Sequence, residues 1–134
     1  MPTKIQEIPL FFIVGRPRSG TTMLRMLFES HPNVIIPPEC PFIISLYKKY
    51  AKKTFWDEAL INDFVQDLSK QTYFDKWLMD TNELKEKLME FSGQSSFKTM
   101  IRALYLAYPS LFPKDDIHII GDKNPAYSLY LKRI

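Results

Sequence analysis

Two short apolar runs, Leu10-Phe-Phe-Ile-Val14 and Ile117-His-Ile-Ile120, frame a chain whose middle follows a helical period. The first is continuous, partly β-branched and of strand length, the pattern of a strand buried on both faces of a parallel sheet. Gly15 to Gly20 is a loop by its Gly and Pro content. Thr21 to Ser30 then carries Met23, Leu24, Leu27 and Phe28 at helical spacing, and His31-Pro32 ends that helix. Val34-Ile-Ile36 predicts a short second strand, stopped by Pro37-Pro38. Across about 41–112 the apolar residues fall three and four apart, over Phe42–Lys53, Asp57–Lys70, Leu84–Phe91 and Phe97–Tyr108, which predicts a helical excursion. Trp56, Phe64, Trp77, Tyr105 and Tyr108 lie in this excursion and are expected in its core. The mixed charges Glu83, Lys85, Glu86, Lys87 and Glu90 suit a solvated helix face. Ile117–Ile120 predicts another strand, with His118 packed or hydrogen-bonded inside it and Gly121-Asp-Lys-Asn-Pro125 as a loop at its end. Ala126 to Ile134 has the pattern of a further helix.

Composition narrows the class without naming it. A length of 134 residues is one domain or part of one, and 46% hydrophobic with 25% charged residues is ordinary for a globular protein. The net charge of +3 is too mild to imply nucleic acid, although basic residues gathered at one place still suit a small anion. The single cysteine, Cys40, rules out an internal disulfide, and with two separated histidines it makes no metal-ligand cluster. A reduced, cytoplasmic protein is the default expectation. Leu10–Val14 is far short of the ~20 apolar residues that span a bilayer, and no leader-cleavage pattern follows it, so no membrane span is expected. No internal repeat, low-complexity segment or Gly/Ser linker interrupts the chain.

The chemistry concentrates in Gly15-Arg-Pro-Arg-Ser-Gly-Thr-Thr22. Strand, glycine-flanked loop and helix in that order make an anion cradle, because successive backbone N–H groups converge at a helix N-terminus. Gly20 permits close backbone approach, and Thr21 and Thr22 add hydroxyl donors. A nucleotide hydrolase has lysine after the second glycine, where it reaches the β- and γ-phosphates. Thr21 stands there instead, and the loop's cations are Arg16 and Arg18. Triphosphate hydrolysis is disfavoured, while binding of a smaller anionic group is retained.

Pro17-Arg18-Ser19-Gly20-Thr21-Thr22 resembles the 5′-phosphosulfate loop of sulfotransferases, which use 3′-phosphoadenosine 5′-phosphosulfate (PAPS) as donor. The longer stretch from Val14 to Glu39, with His31-Pro32 after the helix and then Glu39, is similar to tyrosylprotein sulfotransferases and related bacterial enzymes. Gly121-Asp-Lys-Asn-Pro125 resembles a second segment of that group, in which a lysine two residues before a proline faces the donor. The resemblance implies a three-layer α/β fold of the P-loop NTPase type, with a parallel sheet and a large helical insertion, incomplete at the C-terminus. Residues 1–134 would be the N-terminal part of a single domain, since nothing here matches the family's 3′-phosphate motif.

By the same resemblance Glu39 is the expected general base, and Arg18 and Lys123 the cations that stabilise charge on the sulfuryl group. Arg16, Pro17, Arg18, Ser19, Gly20, Thr21 and Thr22 would bind the donor. The acceptor would be a hydroxyl on a small molecule, a glycan or a tyrosine side chain, and no metal is expected. Sulfuryl transfer, like phosphoryl transfer, is largely positioning and charge stabilisation, so one base and fixed cations suffice. Two alternatives remain at this point: a kinase or NTPase with a degenerate loop, and a noncatalytic anion-binding or helical interaction module. His31, His118 and Cys40 carry no catalytic expectation.

Overall fold

A computed structural model describes residues 4–13 and 20–124, with Thr21 and Thr22 described by backbone alone. Three parallel strands form the sheet: β1 (Leu10–Ile13), β2 (Val34–Ile35) and β5 (Ile119–Lys123), in the order β1-β5-β2. Register pairs Leu10 with Ile120, Ile13 with Lys123 and Ile35 with Ile120. Helix α1 (Thr21–Glu29) connects β1 to β2. Parallel strands require such a crossover, and it places a helix on one face of the sheet.

The period of two sorts the strand side chains. Phe11, Ile13, Val34 and Ile36 form a small cluster on the α1 side, where the Phe11 and Phe28 rings lie 5.7 Å apart, edge to face. Leu10, Phe12, Ile35 and Ile120 pack into the larger core on the opposite side. Between Ile36 and Phe11 the strand partner is Gly121. A Cβ there would come within 2.7 Å of both Ile36 Cγ1 and Phe11 Cζ. Gly121→Ala is therefore expected to cost about 1–3 kcal/mol through overpacking, read as a lower urea midpoint in equilibrium unfolding.

The excursion comprises α2 (Phe42–Tyr50), β3 (Phe55–Trp56), α3 (Glu58–Ser69), α4 (Thr81–Met89), β4 (Gly93–Gln94) and α5 (Phe97–Leu106). Three of its helices start on side-chain caps. Asp57 accepts from the Leu60 N–H, Asp80 from those of Asn82 and Glu83, and Ser96 from that of Thr99. Each cap satisfies N–H groups that the first turn leaves unpaired, worth about 1 kcal/mol. Its core is aromatic: Tyr50, Trp56, Phe64 and Phe97 meet in one group and Phe42, Trp77 and Tyr105 in another. Phe64 and Tyr105 are buried on their helices as the period implies, Trp56 and Trp77 are buried from β3 and the turn Phe74–Trp77, and Tyr108 packs partly buried against the same core.

Several boundaries differ from expectation. The last strand begins at Ile119 rather than Ile117 and runs through Gly121, Asp122 and Lys123, residues expected in a loop. Strand pairing overrides local composition there, because β1 offers ladder partners as far as Ile13 and the Asn124 N–H still donates to the Ile13 carbonyl at 3.1 Å. His118 is not packed in the strand. It precedes the pairing, its N–H goes to the Asn33 carbonyl at 2.8 Å, and its exposed ring stands 3.5 Å from Asp116. Helix α2 stops at Tyr50, and β3 pairs antiparallel with β4, a two-stranded ladder that the helical period hides. Residues 14–19, which take in the end of the expected first strand and most of the expected loop, lie outside the described residues, as do Pro125 and the expected helix from Ala126.

Candidate active site

Because β1 and β5 run parallel with Ile13 opposite Lys123, the chain leaves both strands at the same edge of the sheet. Ligands of open parallel sheets bind outside this carboxyl edge. Helix α1 starts there too, on Gly20 with φ of 86°. That left-handed conformation is one a side chain adopts only with strain, so glycine is required at the turn whatever the loop binds.

After β2 the chain passes through Pro37 and Pro38 to Glu39. Two prolines supply no N–H donors, so the segment is fixed through its carbonyls. The Arg25 guanidinium donates through Nε to the Ile36 carbonyl at 2.7 Å and through Nη2 to the Tyr108 hydroxyl at 3.4 Å. The Trp77 indole N–H donates to the Pro38 carbonyl at 2.7 Å. On the other side of Ile36 a buried carboxylate takes its N–H: Glu29 Oε1 accepts at 2.7 Å. Glu29 Oε2 accepts from the Ser110 hydroxyl at 2.7 Å and stands 3.1 Å from Lys114 Nζ. Lys114 also donates to the His31 carbonyl at 3.0 Å. A carboxylate 1% exposed is tolerable only with such full partnering.

These bonds deliver Glu39 to Lys123. The carboxylate Oε2 lies 3.8 Å from the ammonium Nζ, an ion pair longer than a hydrogen bond. Lys123 is nearly buried and Glu39 is about one-third exposed. The pair opens on a cavity of about 400 Å³ whose other lining residues are Arg25, Pro38, Tyr73 and Lys76. Tyr73 is held at φ of 69° where the chain enters the short 3-10 turn Phe74–Trp77.

Beneath Lys123, on the opposite face of β5, Asp122 is buried with Oδ2 accepting from the Tyr105 hydroxyl at 2.7 Å and Oδ1 from the Asn124 amide. Burial pushes its carboxyl up to about 7 and the charge of Glu39 adds to the rise, while the bonds from Tyr105 and Asn124 oppose it. The Cys40 thiol is pushed up to about 12 by burial; a backbone hydrogen bond at Phe42 opposes this and Asp122 reinforces it. Cys40 is thus a buried thiol held in its protonated form at neutral pH. His31 accepts the Asn33 N–H through Nδ1 at 3.1 Å just past α1, a structural contact.

Of the sequence-derived site residues, the structure brings Glu39 and Lys123 together. Gly20, Thr21 and Thr22 begin α1 at the same edge, and Arg16, Pro17, Arg18 and Ser19 lie outside the described residues. Glu29, Arg25, Trp77 and Tyr105 carry no motif signal: each acts through a partner distant in sequence. Among the described residues no group of three or more His, Cys, Asp or Glu could hold a metal ion.

The sulfotransferase family profile matches residues 9–134, which includes every element of this site. The chain belongs to the sulfotransferase family. Protein-tyrosine sulfotransferase 2 of Gallus gallus is 36% identical over 75 residues, 51% of this chain and 20% of that one. Protein-tyrosine sulfotransferase 1 of Homo sapiens is 35% identical over 75 residues, again 51% and 20%. Nodulation protein NoeE of Sinorhizobium fredii is 40% identical over 47 residues, 34% of this chain and 11% of its own length. The matched stretch thus spans about a fifth of the length of the tyrosine-directed relatives. No solved structure matches the chain.

These relatives overturn the expectation of a cytoplasmic protein. That expectation rested on a single cysteine and on the lack of a leader or span near Leu10. A sulfotransferase segment matching a fifth of its relatives cannot carry that inference. What the structure shows is narrower: no helix among the described residues is long and apolar enough to cross a membrane.

Proposed function

We propose that this chain is the N-terminal part of a transferase domain that moves a sulfuryl group from PAPS to an acceptor hydroxyl. The observation that carries the reading is the meeting of Glu39 and Lys123 at the carboxyl edge of the sheet, where α1 also begins. A base and a fixed cation side by side over a cavity are what the reaction needs. Family membership supplies the reaction class, and the relatives named for protein tyrosine make a tyrosine side chain one acceptor to test.

In this reading Arg16, Pro17, Arg18, Ser19, Gly20, Thr21 and Thr22 hold the donor's 5′-phosphosulfate. The acceptor hydroxyl enters the cavity lined by Tyr73 and Lys76 and donates to Glu39. Its oxygen forms the new S–O bond as its proton passes to Glu39, and the bridging S–O bond breaks to leave a phosphate anion. Lys123 and Arg18 stabilise the charge spread over the sulfuryl and bridging oxygens. The donor's phosphates are held by backbone N–H groups, hydroxyls and basic side chains, so binding and transfer are expected to proceed in EDTA.

The test is calorimetry with adenosine 3′,5′-bisphosphate, the spent donor, on the full-length protein in EDTA, followed by a transfer assay with PAPS and tyrosine-containing peptides. Metal-independent binding and transfer are expected. Activity abolished by chelation and restored by magnesium would favour a degenerate kinase or NTPase, and absence of bisphosphate binding would favour a noncatalytic module.

A further inference from the structure

Asp122 is buried, charged when ionised, and has no part in the transfer chemistry above. Burying a carboxylate costs free energy, and a hydrophobic residue in its place would be cheaper unless the charge has a use. Its surroundings are specific. Tyr105 reaches it from α5, Asn124 from two residues on, and Glu39 and Cys40 lie near it from the proline segment. Lys123 projects from the opposite face of the same strand. The Asn124 N–H is itself bonded to the Ile13 carbonyl, so the network reaches the point where β1 leaves the sheet.

We propose that Asp122 is a positioning residue of the transfer site, whose ionised carboxylate, held by Tyr105 and Asn124, fixes the end of β5 and so aims Lys123 at Glu39. This rests on the transfer reading. An ionised carboxylate only accepts, and Tyr105 and Asn124 each bring it a donor. A protonated Asp122 must donate from one oxygen. Either the Tyr105 hydroxyl turns round or the Asn124 amide flips, so at least one of the two bonds that hold the end of β5 is exchanged for another and the hold on Lys123 loosens. A displacement of about 1 Å at a reacting group is enough to cost ~10²-fold in rate.

Because burial raises the Asp122 carboxyl to about 7, the two states exchange within an accessible range, and the sign of each effect is fixed. Turnover should rise with pH along a limb near 7 as Asp122 ionises. Stability should run the other way. A carboxyl raised in the folded state contributes stability fully present below its unfolded value, and that contribution is lost as pH rises through about 7. Function and stability therefore diverge at this residue, which a purely structural carboxylate would not produce.

The experiment uses the full-length enzyme and three proteins: wild type, Asp122→Asn and Tyr105→Phe. Asp122→Asn should lower kcat on the order of 10-fold to 100-fold at pH 8 with little change in KM, abolish the limb near 7, and raise the urea midpoint relative to wild type as pH goes from 5 to 8. Tyr105→Phe removes a bond that favours the ionised form, so its limb should move to higher pH. A wild-type enzyme that transfers sulfuryl while Asp122→Asn keeps both the limb and the rate would overturn this proposal alone. Absence of transfer by wild type across the pH range would overturn the transfer reading and this one with it. Equal loss of stability in Asp122→Asn at every pH, with the limb intact, would reduce Asp122 to a structural residue and overturn the proposal.

Discussion

Glu39→Gln is expected to lower turnover of the full-length enzyme by ~10²-fold or more while leaving affinity for adenosine 3′,5′-bisphosphate almost unchanged. Glutamine keeps the shape and the acceptor oxygen and removes the capacity to take a proton. The backbone is held independently of the side chain, through the Ile36 and Pro38 carbonyls bonded to Arg25 and Trp77, so the substitution should not move the segment. The ion pair with Lys123 is lost. At 3.8 Å, with the carboxylate about one-third exposed, that pair adds little to stability, and the unfolding midpoint should stay close to wild type. Isothermal titration with the bisphosphate and steady-state kinetics with PAPS and a tyrosine peptide separate the two effects. Turnover near the wild-type rate would show that the proton goes elsewhere, and Glu39 would then be a binding residue.

The sheet-forming runs were legible because they are short, apolar and β-branched, and helices α3 and α5 because each keeps its apolar residues three and four apart. The end of β5 was not. Gly121-Asp122-Lys123-Asn124 has the composition of a turn, and only pairing with β1 and the tight fit of Gly121 between Ile36 and Phe11 make it a strand. This matters for the site, because a strand alternates its side chains where a loop does not. Lys123 therefore goes to the Glu39 side and Asp122 to the Tyr105 side. Glu39 and Lys123 were expected from the resemblance of their segments to sulfotransferases; spacing alone reads each as an ordinary loop residue, and what the structure adds is that the two lie 3.8 Å apart. Glu29, Arg25, Trp77 and Tyr105 were missed because their roles lie in bonds to residues far along the chain. Trp77, for example, looks from its spacing like any buried aromatic, and its indole N–H bond to Pro38 appears only once the excursion folds back on the sheet. His118 failed in the opposite direction: its apolar neighbours suggested a packed or hydrogen-bonded place inside the strand, but strand pairing begins one residue later.

Lys123→Met is expected to lower kcat by ~10²–10³-fold, the loss typical of removing one fixed donor to developing charge. Methionine preserves most of the buried stem, so packing on the α1 side of β5 should survive and the protein should remain folded. Lys123→Arg should not restore the rate. Lys123 is nearly buried, the guanidinium is larger and planar, and its donors point along a fork rather than from a single point. The decisive measurement is the double variant. If Glu39 and Lys123 act on one transition state, the first lowering acidity needs at the acceptor oxygen and the second neutralising charge as the bridging bond breaks, their losses will not add. Glu39→Gln/Lys123→Met should then be only slightly slower than the worse single variant. Strict additivity would mean that the two groups serve separate steps. Their approach to 3.8 Å would in that case reflect an electrostatic pair between substrate subsites rather than a joint transfer site.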